Sequence, residues 1–251
     1  MVVKWDLPPE PVPQWLDINE EITEANDTKP SNWKAATGMA LQILFVEACF
    51  KALRNLGLTP EQAVEILSNS VVETGWGKFF RGWNLGGWKI RKSDVESLKS
   101  KGKKAKWWRA PGNKSSNDPP WCYYRGFDNL QEFFAEWIVK FVPKPGSEAS
   151  VGRYKETGRL FWTGGDWFLA LCKSGYKGEV TASNPKNSVD GHTQIVKIAK
   201  TILAQRTLGF VPDGIWGKES TAKALEFQKN KKIPETGKPD YGILEFYKIM
   251  P

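Results

Sequence analysis

An apolar segment near the start of the chain constrains the fold most, because it predicts a helix enclosed by a core. Residues 38–56 are apolar on nearly every side of a helical projection, which is typical of a buried helix. Gly57 follows at the position where a glycine in left-handed conformation ends many helices. We therefore predict a core helix over 38–56 that ends at this glycine.

The next residues carry the signals that begin a second helix. Thr59 is a good N-cap, Pro60 suits the first helical position, and Gln62 completes a capping box. Apolar and small residues then recur on one helical face, namely Ala63, Ile66, Leu67, Ser70 and Val71. We expect this helix to end near Thr74, with Gly75 as its stop.

The rest of the chain alternates between irregular and helical stretches. Residues 1–35 are rich in Pro, Glu and Asp and predict an extended arm with a short helix. Residues 75–125 are rich in Gly, Lys, Ser and Pro and predict loops with a few short strands; the β-favouring run WCYYRGF at 121–127 is one of these strands. Three further helices are predicted to begin near Asp128, Asp166 and Ser188.

The C-terminal stretch is predicted to be a compact helical module of roughly 50 residues. Asp213-Gly214 marks a turn, a helix follows, Gly237 ends that helix, and a short helix over 240–247 completes the module. This size is at the low end for independent folding. We therefore expect the module to pack against the long helix that precedes it.

Composition and the N-terminal residues limit the classes of protein to consider. Hydrophobic residues make up 40% of the 251 positions, which is enough for a core, and no apolar run reaches the roughly 18 residues of a membrane span. We expect no membrane insertion. The first residues lack the basic start and apolar stretch of a signal peptide, and three scattered cysteines form no disulfide or metal pattern. These features predict a protein made in a reducing cytoplasm.

Charge and aromatic content favour a polyanionic or sugar-bearing partner. The net charge of +8 attracts nucleic acid, acidic lipid or an anionic cell wall. The chain has 13 tryptophans, whose flat faces stack on sugars and on bases alike. His192 is the single histidine, so the histidine-rich ligand set of a zinc hydrolase is missing. We expect no metal and no cofactor.

Glu73 is the carboxyl group best placed for acid catalysis. Cleavage of a glycosidic bond needs a carboxylic acid that still carries its proton near neutral pH, and burial disfavours the charged form of a carboxyl. Glu73 shares the buried face of Ile66, seven residues earlier, and lies in the last helical turn, where the helix dipole disfavours a negative charge. An ordinary surface glutamate at a helix end is the alternative.

The run after this glutamate resembles a known signature. Glu73-Thr74-Gly75-Trp76-Gly77, a spacer and Asn84-Leu85-Gly86-Gly87-Trp88-Lys89 resemble the motif of the lysozyme-superfamily β-N-acetylglucosaminidases of flagella, autolysins and phage endolysins. That motif is Glu-Ser/Thr-Gly-Trp-Gly followed by Asn-Leu-Phe-Gly-Ile-Lys, so Gly86 and Trp88 depart from it. Weaker likenesses follow at 124–128, an aromatic strand, and at 170–176, Ala-Leu and Ser-Gly-Tyr. The resemblance spans about residues 38 to 205.

The resemblance implies a fold and a catalytic residue. It implies a helical lysozyme-like lobe beside a small β-rich lobe, with the substrate cleft between them and Glu73 as the general acid. A second acid is often present in the family, and Glu96 is the first choice here, ahead of Asp94 and Asp118. A mechanism that uses the N-acetyl group of the substrate would need no second carboxylate.

Substrate contacts follow from the same resemblance and from the glycines in the motif. Tyr176 matches a family tyrosine that lines the cleft near the acid; an aromatic core residue is the alternative. A glycine before each of Trp76, Trp83 and Trp88 lets the backbone turn closely. We expect Trp76 in the core and the other two in the cleft. Asn84 would bond an N-acetyl amide or brace the loop. The expected substrate-binding residues are Trp83, Asn84, Trp88 and Tyr124.

The C-terminal run resembles the three-helix peptidoglycan-binding module. The matching stretches are 202–210, Asp213-Gly214-Ile215-Trp216-Gly217 and 221–228, with Trp216 in place of the usual Phe. The family pattern is Leu-Gln and Leu-Gly, then Asp-Gly-Ile-Phe-Gly, then Thr, Ala-Val and Phe-Gln. Asp213 and Trp216 are the predicted wall-binding positions, although the turn and the aromatic are largely structural in such modules.

Both resemblances point to peptidoglycan as the partner. The sequence predicts a mainly α protein with an arm (1–35), a lysozyme-like domain (36–195) and a binding module (196–251). We expect a monomeric phage endolysin, made in the host cytoplasm and acting on the wall after release by another factor. It would cut a β-1,4 bond between amino sugars as a β-N-acetylglucosaminidase. A muramidase, a lytic transglycosylase, a non-catalytic wall-binding phage structural protein and a nucleic-acid binder are the alternatives.

Overall fold

The fold is mainly helical, with one small sheet. The structure is a computed structural model that describes residues 12–16, 20–23, 26–27, 29–112, 119–148, 152–176 and 184–247. The helices are α1 (Ser31–Ala35), α2 (Gly38–Asn55), α3 (Pro60–Thr74), α4 (Lys92–Ser100), α5 (Leu130–Phe141), α6 (Lys155–Thr163), α7 (Trp167–Lys173), α8 (Lys186–Thr207), α9 (Lys218–Lys231) and α10 (Tyr241–Leu244). A 3₁₀ helix covers Gln14–Leu16, and the strands are β1 (Glu20–Glu21), β2 (Lys106–Pro111) and β3 (Trp121–Arg125).

The two predicted N-terminal helices form the centre of the main core. Helix α2 lies against α3, α5 and α8, and its buried residues include Phe45, Cys49 and Leu53. The capping box of α3 is present, because the Gln62 amide donates to the Thr59 hydroxyl over 3.2 Å and the Gln62 side chain accepts from the Thr59 amide over 3.1 Å. Such reciprocal bonds satisfy two N–H groups that the helix start leaves without partners. The predictions for both helices are confirmed.

The sheet is a separate lobe with its own small core. Its order is β1-β2-β3, with β1 parallel to β2 and β2 antiparallel to β3. An isolated antiparallel bridge joins Lys89 to Tyr124 of β3. The 3₁₀ helix and α4 contribute to a cluster of buried residues at the sheet, namely Leu16, Ile90, Val95, Leu98, Ala105 and Trp107. The prediction of strand at 121–127 is confirmed for Trp121–Arg125.

Some predicted details are wrong. Residues 92–100, expected as loop, form α4, and 155–163 form α6, for which no helix was predicted. The residue before α5 that caps it is Asn129, whose side chain accepts from the Glu132 amide over 2.9 Å, so the cap lies one residue after Asp128. Both Asp and Asn serve as N-caps, and only the geometry of the chain selects between adjacent candidates.

The described part of the predicted N-terminal arm is built into the body of the protein. Leu16 is buried in the sheet core, β1 pairs with β2, and Trp33 of α1 is buried in the main core. Ile22 lies where a side chain at Gly82 or Gly126 would stand. The expected short helix is present in two places, at Gln14–Leu16 and Ser31–Ala35.

The C-terminal module shares a helix with the domain before it. Helix α8 runs without interruption through the expected boundary between residues 195 and 196. Helix α10 lies against α8 and α3, and Leu244 is buried in the main core. The module therefore packs against the long helix, as predicted.

Two glutamines hold the loops of this module. The Gln205 side chain donates to Asp213 Oδ1 over 2.7 Å and accepts from the amides of Asp213 and Gly214 over 3.1 and 3.0 Å. The fully buried Gln228 donates to Asp240 Oδ2 over 2.8 Å and accepts from the Gly237 amide over 2.9 Å. Each amide satisfies backbone groups that a tight loop leaves unpaired.

The helices of the described chain include none that is long and apolar enough to cross a membrane.

Candidate active site

Glu73 lies in the last turn of α3, directly before a tight reversal of the chain. The side chain is half-buried. Gly75, Trp76 and Gly77 follow with positive φ angles of 56, 62 and 79°. A left-handed conformation costs a non-glycine residue about 1–2 kcal/mol, so the surroundings must hold Trp76 in it. The reversal stops the helix and leaves Glu73 at its end.

Two contacts hold this reversal. The Thr74 hydroxyl accepts from the Gly77 amide over 2.9 Å and donates to the Ser70 carbonyl over 2.7 Å. A Cβ on Gly77 would stand 2.3 Å from Cδ2 of Phe45, so the core ring fits only against glycine. The Thr and the second Gly of the Glu-Thr-Gly-Trp-Gly run therefore shape the backbone beside Glu73.

Tyr176 joins the end of α3 to the second half of the motif. Its hydroxyl accepts from Asn69 Nδ2 over 3.4 Å and from Trp137 Nε1 over 3.2 Å, and it donates to the Gly86 carbonyl over 3.4 Å. Burial and the negative charge of Glu73 raise the pKa of Tyr176 well above its ordinary value. The phenol therefore keeps its proton and remains a hydrogen-bond donor beside the carboxyl group.

The structure gives a reason for Gly86, one of the two departures from the glucosaminidase motif that the sequence resembles. A Cβ at this position would lie 3.0 Å from the Tyr176 hydroxyl and 3.2 Å from Trp137 Nε1. The backbone of the loop therefore approaches both polar groups closely, and a larger side chain in this conformation would displace them.

Asn84 braces the loop over residues 75–89, called the motif loop below. Bracing is one of the two roles expected for this residue. Its Nδ2 donates to the carbonyls of Trp88 and Arg125 over 2.9 and 2.8 Å, and its Oδ1 accepts from the Trp88 amide over 2.9 Å. The residue is only 3% exposed. Since both amide hydrogens are engaged within the protein, the geometry favours bracing over contact with a sugar.

The expectation that Trp88 lines the cleft is wrong, because this ring is buried in the main core. It packs against Phe127 and Phe141, and the Lys140 ammonium lies 3.8 Å from its ring centroid. Trp83 is half-buried and meets the rings of Trp33 and Phe80 edge-on or at a tilt. Trp76 is half-buried and packs against the core, in agreement with its expected place.

Tyr124 lies on the sheet in a stacked aromatic pair. Its ring is parallel to that of Trp108 within 15°, at 4.3 Å between centroids, and the two residues are paired across β2 and β3. The Arg81 guanidinium lies 5.7 Å from the Trp108 ring. Arg81 belongs to the spacer of the Glu73 motif, so this stack adjoins the motif loop.

The candidates for a second acid are engaged elsewhere or lie outside the described residues. Glu96 is on an exposed side of α4, with its carboxylate 3.9 Å from the Lys92 ammonium. Asp94 accepts from the Arg91 amide over 2.9 Å and so caps the same helix. Asp118 is outside the residues that the structure describes.

The N-terminal segment fastens the motif loop from outside. Lys29 donates to the carbonyls of Gly77 and Lys78 over 3.4 Å each, and its ammonium lies 4.2 Å from the Phe80 ring centroid. Burial lowers the pKa of Lys29. Asp27 accepts from the Gly82 amide over 3.3 Å. Sequence reasoning missed this contact, because nothing in a polar arm indicates which loop it crosses.

Sequence reasoning also missed three residues around Glu73. Asn69 precedes Glu73 by one helical turn and is 1% exposed. Trp137 of α5 was predicted only as an apolar helix residue, yet its indole bonds Tyr176. Phe79 is 68% exposed, and its amide donates to the Thr74 carbonyl over 2.8 Å. A polar residue on the apolar face of α3 was the available signal for Asn69.

The two predicted wall-binding residues have structural contacts in the module. Asp213 accepts from Gln205 and from the Ile215 amide, and these bonds lower its pKa. Trp216 donates from Nε1 to the Gly237 carbonyl over 2.9 Å and packs against the core. The apolar side chains exposed beside this turn belong to Val211 and Ile215.

Among the residues described, no group of three or more His, Cys, Asp or Glu side chains is placed to hold a metal ion. Comparison with known protein families, with curated proteins and with solved structures found no match. The functional reading of the site therefore rests on its own geometry and on the motifs in the sequence.

Proposed function

We propose that the protein is a hydrolase of peptidoglycan glycan strands, with Glu73 as the general acid. One observation carries the proposal: the separate stretches that resemble the glucosaminidase motif meet around a single hydroxyl group. Tyr176, from the stretch at 170–176, lies within electrostatic reach of Glu73 in the first stretch and bonds the Gly86 carbonyl in the second. Asn84 then ties the second stretch to the strand stretch at Arg125.

The chemistry needs one protein carboxyl group. Glu73 gives its proton to the oxygen between two amino sugars as the bond from that oxygen to the anomeric carbon breaks. The carbonyl oxygen of the substrate's acetamido group attacks the anomeric carbon and forms a cyclic intermediate. Water then opens the intermediate and returns a proton to Glu73. This route requires no second carboxylate, and Glu96 and Asp94 each have another contact on α4.

The surroundings of Glu73 suit a sugar chain. The exposed Phe79 ring beside the helix end offers an aromatic face, and Tyr176 remains a protonated donor next to the acid. The stacked Trp108 and Tyr124 continue the aromatic surface onto the sheet lobe. We propose that the glycan strand lies between the end of α3 and this stack.

The C-terminal module is proposed to hold the wall during catalysis. Its sequence resembles that of peptidoglycan-binding modules, two glutamines of the resembling stretches hold its loops, and α8 continues into it from the catalytic lobe. A phage endolysin that reaches the wall with the help of another factor fits this combination of a cutting and a holding unit.

The test is lysis of purified walls by the full chain. We expect Glu73→Gln to lower the rate of turbidity loss by at least about a hundredfold, the usual contribution of a general acid, with unchanged sedimentation with walls and an unchanged unfolding midpoint. Glu96→Gln is the matched control and should keep the wild-type rate. Wild-type lysis by Glu73→Gln would refute the acid assignment, and wild-type protein that binds walls without lysing them would refute the enzyme.

Mass analysis of the released fragments identifies the bond that is cut. Reducing N-acetylglucosamine ends are expected. Reducing N-acetylmuramic acid ends would indicate a muramidase, and anhydro ends would indicate a lytic transglycosylase, in which no water is added.

A further inference from the structure

A cavity lies toward the opposite end of α3 from Glu73. It has a volume of about 550 Å³ and is lined by the first turns of α3, the corner between α6 and α7, and the first half of α8. Glu65, on its wall, precedes Glu73 by eight residues, which is about 12 Å along a helix axis. The cavity is therefore distinct from the proposed active site.

The lining combines negative charge with aromatic faces. Three carboxyl groups line it, from Glu61, Glu65 and Asp166, and no Lys or Arg is among its lining residues. Four aromatic rings complete the wall, from Phe161, Trp162, Trp167 and Phe168. This composition contrasts with a chain that carries a net charge of +8. Carboxylates and ring faces both attract cations.

Glu65 is the half-buried carboxyl group of this lining, whereas Glu61 and Asp166 are exposed. Its Oε2 accepts from Trp167 Nε1 over 3.1 Å, which fixes its direction. Burial raises the pKa of Glu65, and the charge of Glu61 raises it further. The hydrogen bond from Trp167 and the charge of Lys200 lower it. Lys200 lies outside the lining, with its ammonium 4.8 Å from the Tyr241 ring centroid. A cation in the cavity would stabilise the charged carboxylate that burial disfavours.

His192 forms another part of the wall. Its ring is stacked on Phe168 at 3.8 Å between centroids and within 11° of parallel. Its Nε2 is 3.1 Å from the Glu65 backbone carbonyl, which can only accept, so this nitrogen carries a hydrogen. The same nitrogen is 3.8 Å from Glu65 Oε2. The imidazole is thus held in one place beside the carboxylate.

We propose that this cavity binds a primary alkylammonium group, with Glu65 and Asp166 as counter-ions and the aromatic rings around the alkyl stem. The volume is in the range of small-molecule sites. An ammonium ion on a short apolar chain satisfies both kinds of lining, whereas an anion or a purely apolar molecule satisfies at most one. The proposal does not depend on the glycan hydrolase assignment, since it concerns a different end of α3.

The single histidine makes the test specific, because every histidine ring signal in an NMR spectrum of the full chain comes from the wall of this cavity. The probe is cadaverine at fixed pH and ionic strength, followed by the ring carbon–proton signal of His192. The matched neutral probe is 1-pentanol, and Nα-acetyl-lysinamide tests whether a lysine side chain is accepted as well as a free diamine. We expect a saturable shift with both amines and none with the alcohol.

Variants assign the counter-ions. Glu65→Gln should weaken cadaverine binding by about tenfold or more, the factor for loss of one charge-assisted contact. Asp166→Asn removes a second charge at an exposed position, where the side chain makes no capping bond, and should weaken binding without affecting the fold. Glu96→Gln on α4 is the matched control and should bind like wild type. Absence of a saturable shift, an equal shift with 1-pentanol, or full binding by both cavity variants would overturn the proposal.

Discussion

The side-chain amide of Asn84 donates to the backbone carbonyl of Arg125 over 2.8 Å and so joins the Glu73 motif loop to the last strand of the sheet. The same amide nitrogen donates to the Trp88 carbonyl, four residues along the loop. Around it the Arg125 amide donates to the Trp88 carbonyl and the Ile90 amide to the Tyr123 carbonyl. The buried Asn84 side chain thus reinforces a joint that backbone hydrogen bonds also hold.

Replacement of this donor should loosen the joint. Asn84→Asp places a carboxylate oxygen against two carbonyls that have lost their donor, so we expect the free energy of unfolding to fall by at least about 2 kcal/mol. Denaturant unfolding followed by circular dichroism measures the change. Asn129→Asp is the matched control, because Asp caps a helix as well as Asn does, and its unfolding should match wild type. Equal stability of Asn84→Asp and wild type would refute the bracing role.

The reversal after Glu73 offers a second test. Gly77→Ala must accept both a left-handed φ of 79° and a Cβ 2.3 Å from the Phe45 ring, whereas Gly87→Ala, at φ 59°, has open space around it. The conformational strain is similar in the two variants, and only the first overpacks the core. We expect Gly77→Ala to be less stable than Gly87→Ala by about 1–3 kcal/mol in urea unfolding. A smaller loss for Gly77→Ala than for Gly87→Ala would contradict the packing at Phe45.

Local signals account for the parts of the fold that the sequence predicts correctly. Two such signals are the capping box at Thr59 and Gln62 and the stop at Gly75. Each depends on residues within a few positions of each other, so the sequence predicts it without tertiary structure. Helix α4 escaped prediction because its residues are mostly polar, and only Val95 and Leu98 are buried. Their cluster includes Leu16 of the 3₁₀ helix, which is distant in sequence.

The candidate site likewise combines features that the sequence predicts with features that depend on distant residues. The glutamate, its helix end and the bracing role open to Asn84 were all visible in the motif. The direction of Trp88 was not, because its neighbours Phe127 and Phe141 come from other elements. A glycine before a tryptophan permits a close turn, but it does not decide whether the ring then faces solvent or the core.

The lowered pKa of Lys140 predicts how the stability of the protein changes with pH. Burial lowers its pKa from 10.5 to about 8, so between these values the unfolded chain holds a proton that the folded protein has lost. Stability therefore gains from this group as pH rises from about 8 to 10.5, and the penalty of the buried charge is complete below that window. Lys140→Met and Lys140→Arg both lack this titration, since the guanidinium stays charged throughout. Wild type should gain in Tm relative to both variants between pH 7 and pH 10; a constant difference would refute the shift.

Val211 and Ile215 flank the Asp213-Gly214 turn and are 86% and 70% exposed, so they are the surface that we expect to touch the wall. Because the two side chains contribute little to the core, the double variant Val211→Ser/Ile215→Ser should unfold like wild type. Loss of their apolar contact area should weaken sedimentation with purified walls by about tenfold.

The matched control for this surface is Val139→Ser, since Val139 is also 60% exposed but lies on α5, outside the module. It should sediment with walls like wild type. Weakening by Val139→Ser alone would place wall contact on the helical lobe, and retention of full binding by the double variant would remove this turn from the contact surface. Since Gln205 holds the turn from behind through Asp213 and Gly214, the wall would meet a preformed loop, and binding would require little ordering of the chain.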